Sequence, residues 1–137
     1  MDIKTIMVVG AGQMGSGIAQ VAAQAGIKVI LNDIKKEFID KGMNTIDKNL
    51  SRNVTKGRIT EEEKVAILSH IQTNTDITAA KEADLIVEAA TENMEIKAKI
   101  FKALDEAAPS HAILASNTSS LPITEIAAFT KRPEQVI

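Results

Sequence analysis

A glycine-rich run near the start of the chain constrains the fold more than any other feature. Four apolar residues, Ile6–Val9, precede the sequence G-A-G-Q-M-G, and a helical pattern follows it. This order predicts a strand, a tight turn at Gly10, close approach of the main chain to a ligand at Gly12, and close packing of a helix at Gly15. Because the N-terminus of a helix presents free N–H groups and positive potential, the run predicts a site for a pyrophosphate.

An acidic residue ends the next predicted strand. The apolar run 27–31 leads to Asp33, which lies roughly twenty residues after the glycine-rich run, where a dinucleotide-binding fold needs an acceptor for a ribose hydroxyl. A carboxylate there would accept hydrogen bonds from the adenosine ribose and would repel a 2′-phosphate. The pattern therefore favours NAD(H) over NADP(H), although Lys35 and Lys36 argue weakly in the opposite direction.

Composition narrows the class of protein. The length of 137 residues and the apolar share of 45% indicate one globular domain. A net charge of −2 and only three aromatic residues argue against a nucleic-acid partner. The sequence has no apolar run long enough for a membrane span and starts without a signal-peptide pattern, so we expect a cytoplasmic chain with no membrane partner. The absence of cysteine excludes disulfides, and no metal-ligand spacing is present.

Apolar runs alternate with helical segments along the whole chain. This alternation predicts an α/β fold, a doubly wound parallel sheet of the Rossmann type. The remaining predicted strands lie at 71–74, 84–89, 111–115 and, as the start of a sixth, 135–137. The first helix is predicted over 12–25, ending at Gly26. Its expected buried face consists of Ile18, Val21, Ala22 and Ala25.

The segment from about 35 to 70, between the second and third strands, is too long for an ordinary crossover helix. It is predicted to form a helical hairpin, in which the first helix stops at Gly57 and the second opens with capping-box spacing at Thr60 and Glu63. The apolar stripe is formed by Ile39, Met43, Ile46, Leu50 and Val54 in the first helix and by Val65, Ala66 and Leu68 in the second.

Three basic residues, Lys48, Arg52 and Lys56, recur every fourth position and share one face of the first hairpin helix. Such a row could receive a polyphosphate. A solvated helix face is the commoner meaning of a row of this kind.

Polar residues follow the fourth and fifth predicted strands, at the edge where ligands bind in open parallel sheets. After the fourth strand, Asn93 can cap a helix, while Glu92 and Lys97 can orient a nicotinamide ribose or pair with each other. An ordinary helix start with a solvated acid and base is the alternative. After the fifth strand, Ser116–Ser120 could hydrogen-bond a substrate oxygen or could serve only to form a turn.

The chain has two histidines, His70 and His111. Oxidation of an alcohol by hydride transfer needs a base for the hydroxyl proton, and histidine is its usual source. Both histidines lie at the amino ends of predicted strands, so we expect them at the opposite edge of the sheet from the glycine-rich run, in structural or exposed positions.

With these motifs, the whole chain resembles the amino-terminal part of the 3-hydroxyacyl-CoA dehydrogenases. The resemblance rests on V-G-A-G-Q-M-G-S-G-I-A-Q, on Asp33, on E-A-A-T-E-N with Lys97 after it, and on L-A-S-N-T-S-S-L. It implies NAD as the cofactor. The residues that it implies for cofactor binding are Gly10, Gly12, Gln13, Met14, Gly15, Asp33, Glu92, Lys97 and Asn117.

The resemblance also implies an acyl-CoA substrate. The expected reaction interconverts an (S)-3-hydroxyacyl-CoA, with 3-hydroxybutanoyl-CoA as the expected example, and a 3-oxoacyl-CoA. Ser119 and Asn117 would position the substrate oxygen, and Arg52 and Lys56 would contact coenzyme A.

In that family a catalytic histidine and a mostly helical domain with subunit contacts follow the region seen here. We therefore expect that residues 1–137 form an NAD-binding domain truncated before both, that the chain alone lacks dehydrogenase turnover, and that its parent is a homo-oligomer. Two other functions stay open. One is a different NAD-dependent 3-hydroxyacid dehydrogenase with a lysine base, and the other is a non-catalytic nucleotide-binding module.

Overall fold

The computed structural model describes residues 3–90, 93–116, 123–128 and 130–137. Five parallel strands form one sheet in the order β3-β2-β1-β4-β5. The strands are β1 Thr5–Val9, β2 Lys28–Asn32, β3 Ile71–Asn74, β4 Leu85–Glu88 and β5 Ile113–Ser116. This is the strand order of the Rossmann fold, so the predicted doubly wound parallel sheet is confirmed.

Helices cover both faces of the sheet. Their bounds are α1 Gln13–Gln24, α2 Lys36–Thr55, α3 Glu61–Ser69, α4 Met94–Ala107 and α5 Ile123–Ala127, with 3-10 helices at Ile77–Glu82 and Pro133–Gln135. One core lies between the sheet and the first three helices, and a second lies between the sheet and the later helices. Strand β1 pairs with β2 on one side and with β4 on the other, so the direction of strand progression reverses at β1. A crevice for ligands is expected at the carboxyl ends of β1 and β4.

The buried face of α1 differs from the prediction. The buried residues are all small, namely Gly15, Ser16, Ala19, Ala22 and Ala23. Val21 and Ala25, which were predicted to be buried, are exposed, Val21 by 66%, and Ile18 is half-buried. Because α1 packs very closely on the sheet, its inner face admits only small side chains, and the larger apolar residues lie on its flank.

Two helices, α2 and α3, connect β2 to β3, where the helical hairpin was predicted. The capping box is confirmed: the Thr60 hydroxyl accepts a hydrogen bond from the Glu63 N–H, and the Glu63 carboxylate accepts one from the Thr60 N–H, both at 3.1 Å. The ammonium of Lys64 joins the helices by contacting Asp47 at 3.0 Å and Ser51 at 2.9 Å.

The buried residues of α2 are Ile39, Gly42, Ile46 and Leu50, so the predicted stripe is largely confirmed. The apolar stripe predicted for α3 is wrong at two positions. Val65 is 61% exposed and Ala66 is exposed, whereas Ile67 and Leu68 are half-buried. A nine-residue helix lying over other helices buries one narrow edge, and the packing partners decide which edge it is.

The last described residues lie beside β5. Val136 forms a parallel bridge with Leu114, and the Ile137 N–H donates to the Leu114 carbonyl at 2.9 Å. Gln135, predicted as part of a sixth strand, lies in a 3-10 helix instead. The Arg132 guanidinium stabilises this segment, since it donates to Asp105 Oδ1 at 2.7 Å and to the Asp105 carbonyl at 2.9 Å near the C-terminus of α4.

Both histidines lie at the amino edge of the sheet, as predicted: His70 directly precedes β3, and His111 precedes β5. His111 Nε2 lies 2.8 Å from Asp84 Oδ1, and the other carboxylate oxygen of Asp84 accepts from the N–H groups of Lys4 and Thr5 at 2.9 and 3.1 Å. The His111 contact, followed by these two main-chain donors, lowers the pKa of Asp84 to about 2. One carboxylate therefore joins the starts of β1, β4 and β5.

No helix within the described ranges combines the length and the apolar composition that a bilayer span requires.

Candidate dinucleotide-binding site

The three glycines of the loop after β1 occupy distinct environments. Gly10 has φ +109°, and a Cβ there would lie 2.8 Å from main-chain atoms of Ala89 and Ala90. A Cβ on Gly15 would lie 1.7 Å from the Gly10 carbonyl oxygen. The predicted turn at Gly10 and the predicted close helix packing at Gly15 are therefore confirmed.

Gly12 differs from the other two glycines because a Cβ there would meet nothing within 4 Å. Internal packing does not explain the glycine at this position. Any side chain at this position would project into the open crevice, so Gly12 fits a loop whose main chain must come close to a ligand.

The N-terminus of α1 begins at this loop. Gly12 is the N-cap residue and provides no side-chain cap, and α1 has no acidic residue in its first turn. By contrast, Asn93 caps α4 as predicted, since its side-chain oxygen accepts from the Glu95 and Ile96 N–H groups at 2.9 and 3.1 Å. The first N–H groups of α1, on Gln13, Met14 and Gly15, are thus suited to an anionic ligand such as a pyrophosphate.

Asp33 lies beside the glycine-rich loop. Its Oδ2 accepts a hydrogen bond from the Ala11 N–H at 2.8 Å, and its Oδ1 accepts one from the Ile34 N–H at 2.7 Å. The carboxylate follows directly after β2, so the fold places it at the carboxyl edge of the sheet. Each oxygen can accept a further hydrogen bond, and a ribose hydroxyl is a suitable donor.

A single cavity contains the loop and the acid. Its lining consists of Gly10, Ala11, Gly12, Asp33, Ile34, Phe38, Lys41, Ala89, Ala90, Ile96 and Ile100. The lining comes from the glycine-rich loop, the ends of β2 and β4, the first turns of α2, and α4. The cavity therefore lies where the strand order reverses. Apolar walls with a few polar groups are typical of a site for a nucleotide.

A buried ion pair lies next to this cavity. Glu88, at the end of β4, binds the Lys97 ammonium, and both side chains are wholly buried. Ser116 Oγ donates to Glu88 Oε1 at 2.8 Å and accepts from Lys97 at 3.3 Å. Glu88 Oε2 accepts from the Ala90 N–H at 2.7 Å, so the pair also fixes the wall of the cavity.

The site residues predicted from the sequence are only partly brought together. Lys97 lies at the predicted end of the sheet, but its ammonium is enclosed by Glu88 and Ser116, so its contact with the cofactor stays a prediction. Glu92, Asn117 and Ser119 lie outside the described residues. Sequence reasoning missed Glu88 as a partner of Lys97. In the described part of the chain, no three histidine or acidic side chains cluster as metal ligands would.

The basic row of α2 lies away from the loop. Lys48, Arg52 and Lys56 are exposed and border a shallow depression with Ser51 and Thr55. Asp47 also borders the depression, but its charge is offset by Lys64 at 3.0 Å. The face therefore keeps a net positive charge.

The glycine-rich loop, Asp33 and the cavity at the reversal of strand order together define a dinucleotide-binding domain of the Rossmann class. The family described as "3-hydroxyacyl-CoA dehydrogenase, NAD binding domain" matches residues 5–137. The chain belongs to this family, which confirms the resemblance seen in the sequence and confirms NAD as the cofactor.

Relatives support the same family. A probable 3-hydroxybutyryl-CoA dehydrogenase from Bacillus subtilis is 51% identical over all 137 residues, which cover 48% of that protein. A 3-hydroxybutyryl-CoA dehydrogenase from Clostridioides difficile is 48% identical, with 96% of this chain and 47% of that protein covered. The crystal structure of (S)-3-hydroxybutyryl-CoA dehydrogenase from Ralstonia eutropha matches with a TM-score of 0.97 and 41% identity, covering 99% of this chain and 48% of that one. The chain thus spans about half the length of these relatives.

Proposed function

We propose that this chain is the NAD-binding part of an enzyme that interconverts (S)-3-hydroxyacyl-CoA and 3-oxoacyl-CoA, with 3-hydroxybutanoyl-CoA as the substrate. The supporting observation is the open crevice at Gly12, between the N-terminus of α1 and Asp33. The relatives whose names include 3-hydroxybutyryl-CoA supply the substrate class.

When bound, NAD would supply the acceptor for the hydride of the substrate C3–H bond, and the hydroxyl proton would need a base. The amides of Gln13–Gly15 would hold the pyrophosphate, and Asp33 would accept hydrogen bonds from the adenosine ribose. Ser119 and Asn117 would position the substrate oxygen. Glu92 and Lys97 would orient the nicotinamide ribose. The base is neither His70 nor His111, since both lie at the opposite edge of the sheet.

Coenzyme A binding is proposed at the basic row of α2. Arg52 and Lys56 are exposed on one face with Lys48, and the nearby acid Asp47 is offset by Lys64. Guanidinium and ammonium groups of this kind suit the phosphates of coenzyme A.

Further parts of the proposal concern the full-length protein. The relatives are about twice as long as this chain. We propose that residues 1–137 form the cofactor domain, that a mostly helical domain supplies the base and the subunit contacts, and that the full-length protein is a cytoplasmic homo-oligomer.

A pair of glycine substitutions tests the cofactor site. Gly12→Ala would place a methyl group in the crevice and should weaken NADH binding at least about tenfold, because the main chain could no longer approach the phosphates. The free energy of unfolding should fall by no more than about 1 kcal/mol, because the methyl group meets no protein atom and the only cost is that alanine is a poorer N-cap than glycine. NADH titration followed by fluorescence, with urea unfolding in parallel, measures both effects.

Gly17→Ala is the matched control. Gly17 lies in α1, and a Cβ there also meets nothing within 4 Å. This variant should bind NADH like the wild type. Equal NADH affinity in the wild type and in Gly12→Ala would contradict the proposed site.

A further inference from the structure

Helix α2 approaches the glycine-rich loop at Gly42. A Cβ on Gly42 would lie 2.7 Å from the Ala11 carbonyl oxygen and 3.2 Å from Ala11 Cβ. The first contact is too short to exist, so any side chain at position 42 would force α2 and the loop apart. Glycine is otherwise unfavourable inside a helix, which makes this packing contact the reason for its presence.

Ala11 is also held from other directions. Its N–H donates to Asp33 Oδ2 at 2.8 Å, which ties the loop to the end of β2. The Asn49 side-chain amide donates to Gln20 Oε1 at 3.1 Å, which ties α2 to α1, the helix that continues from the loop. A displacement at Gly42 would therefore be transmitted to the loop and to Asp33, because these contacts restrain α2 from moving alone.

The same part of α2 forms a wall of the candidate cofactor cavity. Phe38 and Lys41 line this cavity together with Ala11 and Asp33. Gly42 follows Lys41 directly and is one helical turn from Phe38, so the spacing between this wall and the loop depends on the Gly42–Ala11 contact.

We propose that Gly42 is a positioning residue for the adenosine half of NAD. It sets the distance between the first turns of α2 and the loop, and thereby the width of the cavity beside Asp33. This inference rests on the proposed function, since it requires NAD to bind at this loop. A side chain at position 42 should widen the cavity, move Phe38 and Lys41 away from Asp33, and weaken binding of the adenosine half.

The test compares the wild type with Gly42→Ala, Gly42→Val and the control Gly17→Ala. ADP-ribose and NADH are titrated into each protein, and urea unfolding is measured in parallel. Gly42→Ala should weaken both ligands roughly tenfold and Gly42→Val more, because a misplaced wall loses its contacts. Gly17→Ala should leave both affinities unchanged and should raise the urea midpoint, because alanine favours the helix more than glycine does.

Binding is measured with trimethylamine oxide present at one concentration for all four proteins, so that each is folded. A purely structural role of Gly42 would lower the urea midpoint and leave the affinity of the folded protein unchanged. That result would overturn the inference and leave the proposed function intact. A wild-type chain that binds neither ligand would overturn both.

Discussion

Lys97 and Glu88 are the two charged residues in the described ranges that are fully buried. The Lys97 ammonium is wholly buried, and its described partners are Glu88 and Ser116. Removal of a charge from water costs several kcal/mol, and only a close partner with further hydrogen bonds offsets this penalty. Ser116 and the Ala90 N–H supply those hydrogen bonds to Glu88.

Breaking this pair should destabilise the chain strongly. Glu88→Gln or Lys97→Met should each lower the free energy of unfolding by about 3–5 kcal/mol, because the remaining charge stays buried after the opposite charge is removed. The loss of unfolding free energy in the double variant should be smaller than the sum of the two single losses, by more than about 1 kcal/mol. Urea unfolding of all four proteins measures this coupling.

The partly exposed pair of Lys64 and Asp47 is the control for that experiment. The Lys64 side chain is 15% exposed and the Asp47 side chain is 53% exposed. A double-mutant cycle with Lys64→Met and Asp47→Asn should therefore give a coupling free energy below about 1 kcal/mol. Additive effects at Glu88 and Lys97 would show that the two charges do not depend on each other.

Single residues were predictable where a local rule governs them. The roles of Gly10 and Gly15 followed from spacing, because turn and packing requirements repeat in every dinucleotide-binding loop. The partner of Lys97 could not be predicted from spacing in this way. A signal existed, since Glu88 is two positions after Ile86 and so shares its inward face, while Lys97 lies one turn before the buried Phe101. Only the three-dimensional packing shows that these two inward faces meet.

At the scale of elements, Asp84 joins three strands through His111, Lys4 and Thr5. The pKa of Asp84 is lowered in the folded chain from 3.8 to about 2. A lowered carboxyl pKa stabilises the folded state above the unfolded pKa, and this contribution is lost as the pH falls through the folded pKa. The stabilisation by Asp84 is therefore complete above about pH 4 and disappears towards about pH 2.

Asp84→Asn should make this dependence visible. The variant should be less stable than the wild type at neutral pH, and the difference should shrink as the pH falls from about 4 to about 2. Urea unfolding across this range measures the difference, with Asp40→Asn on the exposed face of α2 as the control. A difference that does not vary with pH would rule out ionisation of Asp84 as its source.

Helix and strand positions were largely predictable, but the buried faces of two helices were not. The capping box at Thr60 and Glu63 is a local signal, so it marks the start of α3 in sequence and structure alike. Val21 and Val65 were expected to be buried because they are apolar, yet close packing of small residues in α1 and the shallow contact of α3 leave both exposed. Burial depends on the neighbouring element, which periodicity alone does not identify.

At the scale of the whole molecule, the sheet separates the cofactor cavity from both histidines. The cavity lies at the carboxyl ends of β1 and β4, and His70 and His111 lie at the amino edge. In the proposed reaction, neither histidine is placed to accept the substrate proton. This separation follows from the parallel topology, in which every strand points to the same edge.

Turnover by this chain should therefore be very low. With acetoacetyl-CoA and NADH, the purified chain should oxidise NADH at least about 100-fold more slowly than a full-length relative, because both histidines of this chain lie at the opposite edge of the sheet from the crevice. Loss of NADH absorbance measures the rate. A rate that matches the relative would contradict the placement of the base outside this chain.

The most direct test of the central claim, that NAD binds at the loop after β1, is an NADH titration of the isotopically labelled chain followed by amide nuclear magnetic resonance. We predict that the largest shift changes occur at the amides of 10–15 and of Asp33 and Ile34, since residues 10–12, 33 and 34 line the cavity and the amides of 13–15 begin α1 directly after Gly12. Shift changes centred elsewhere, for example on the basic face of α2, would contradict the claim.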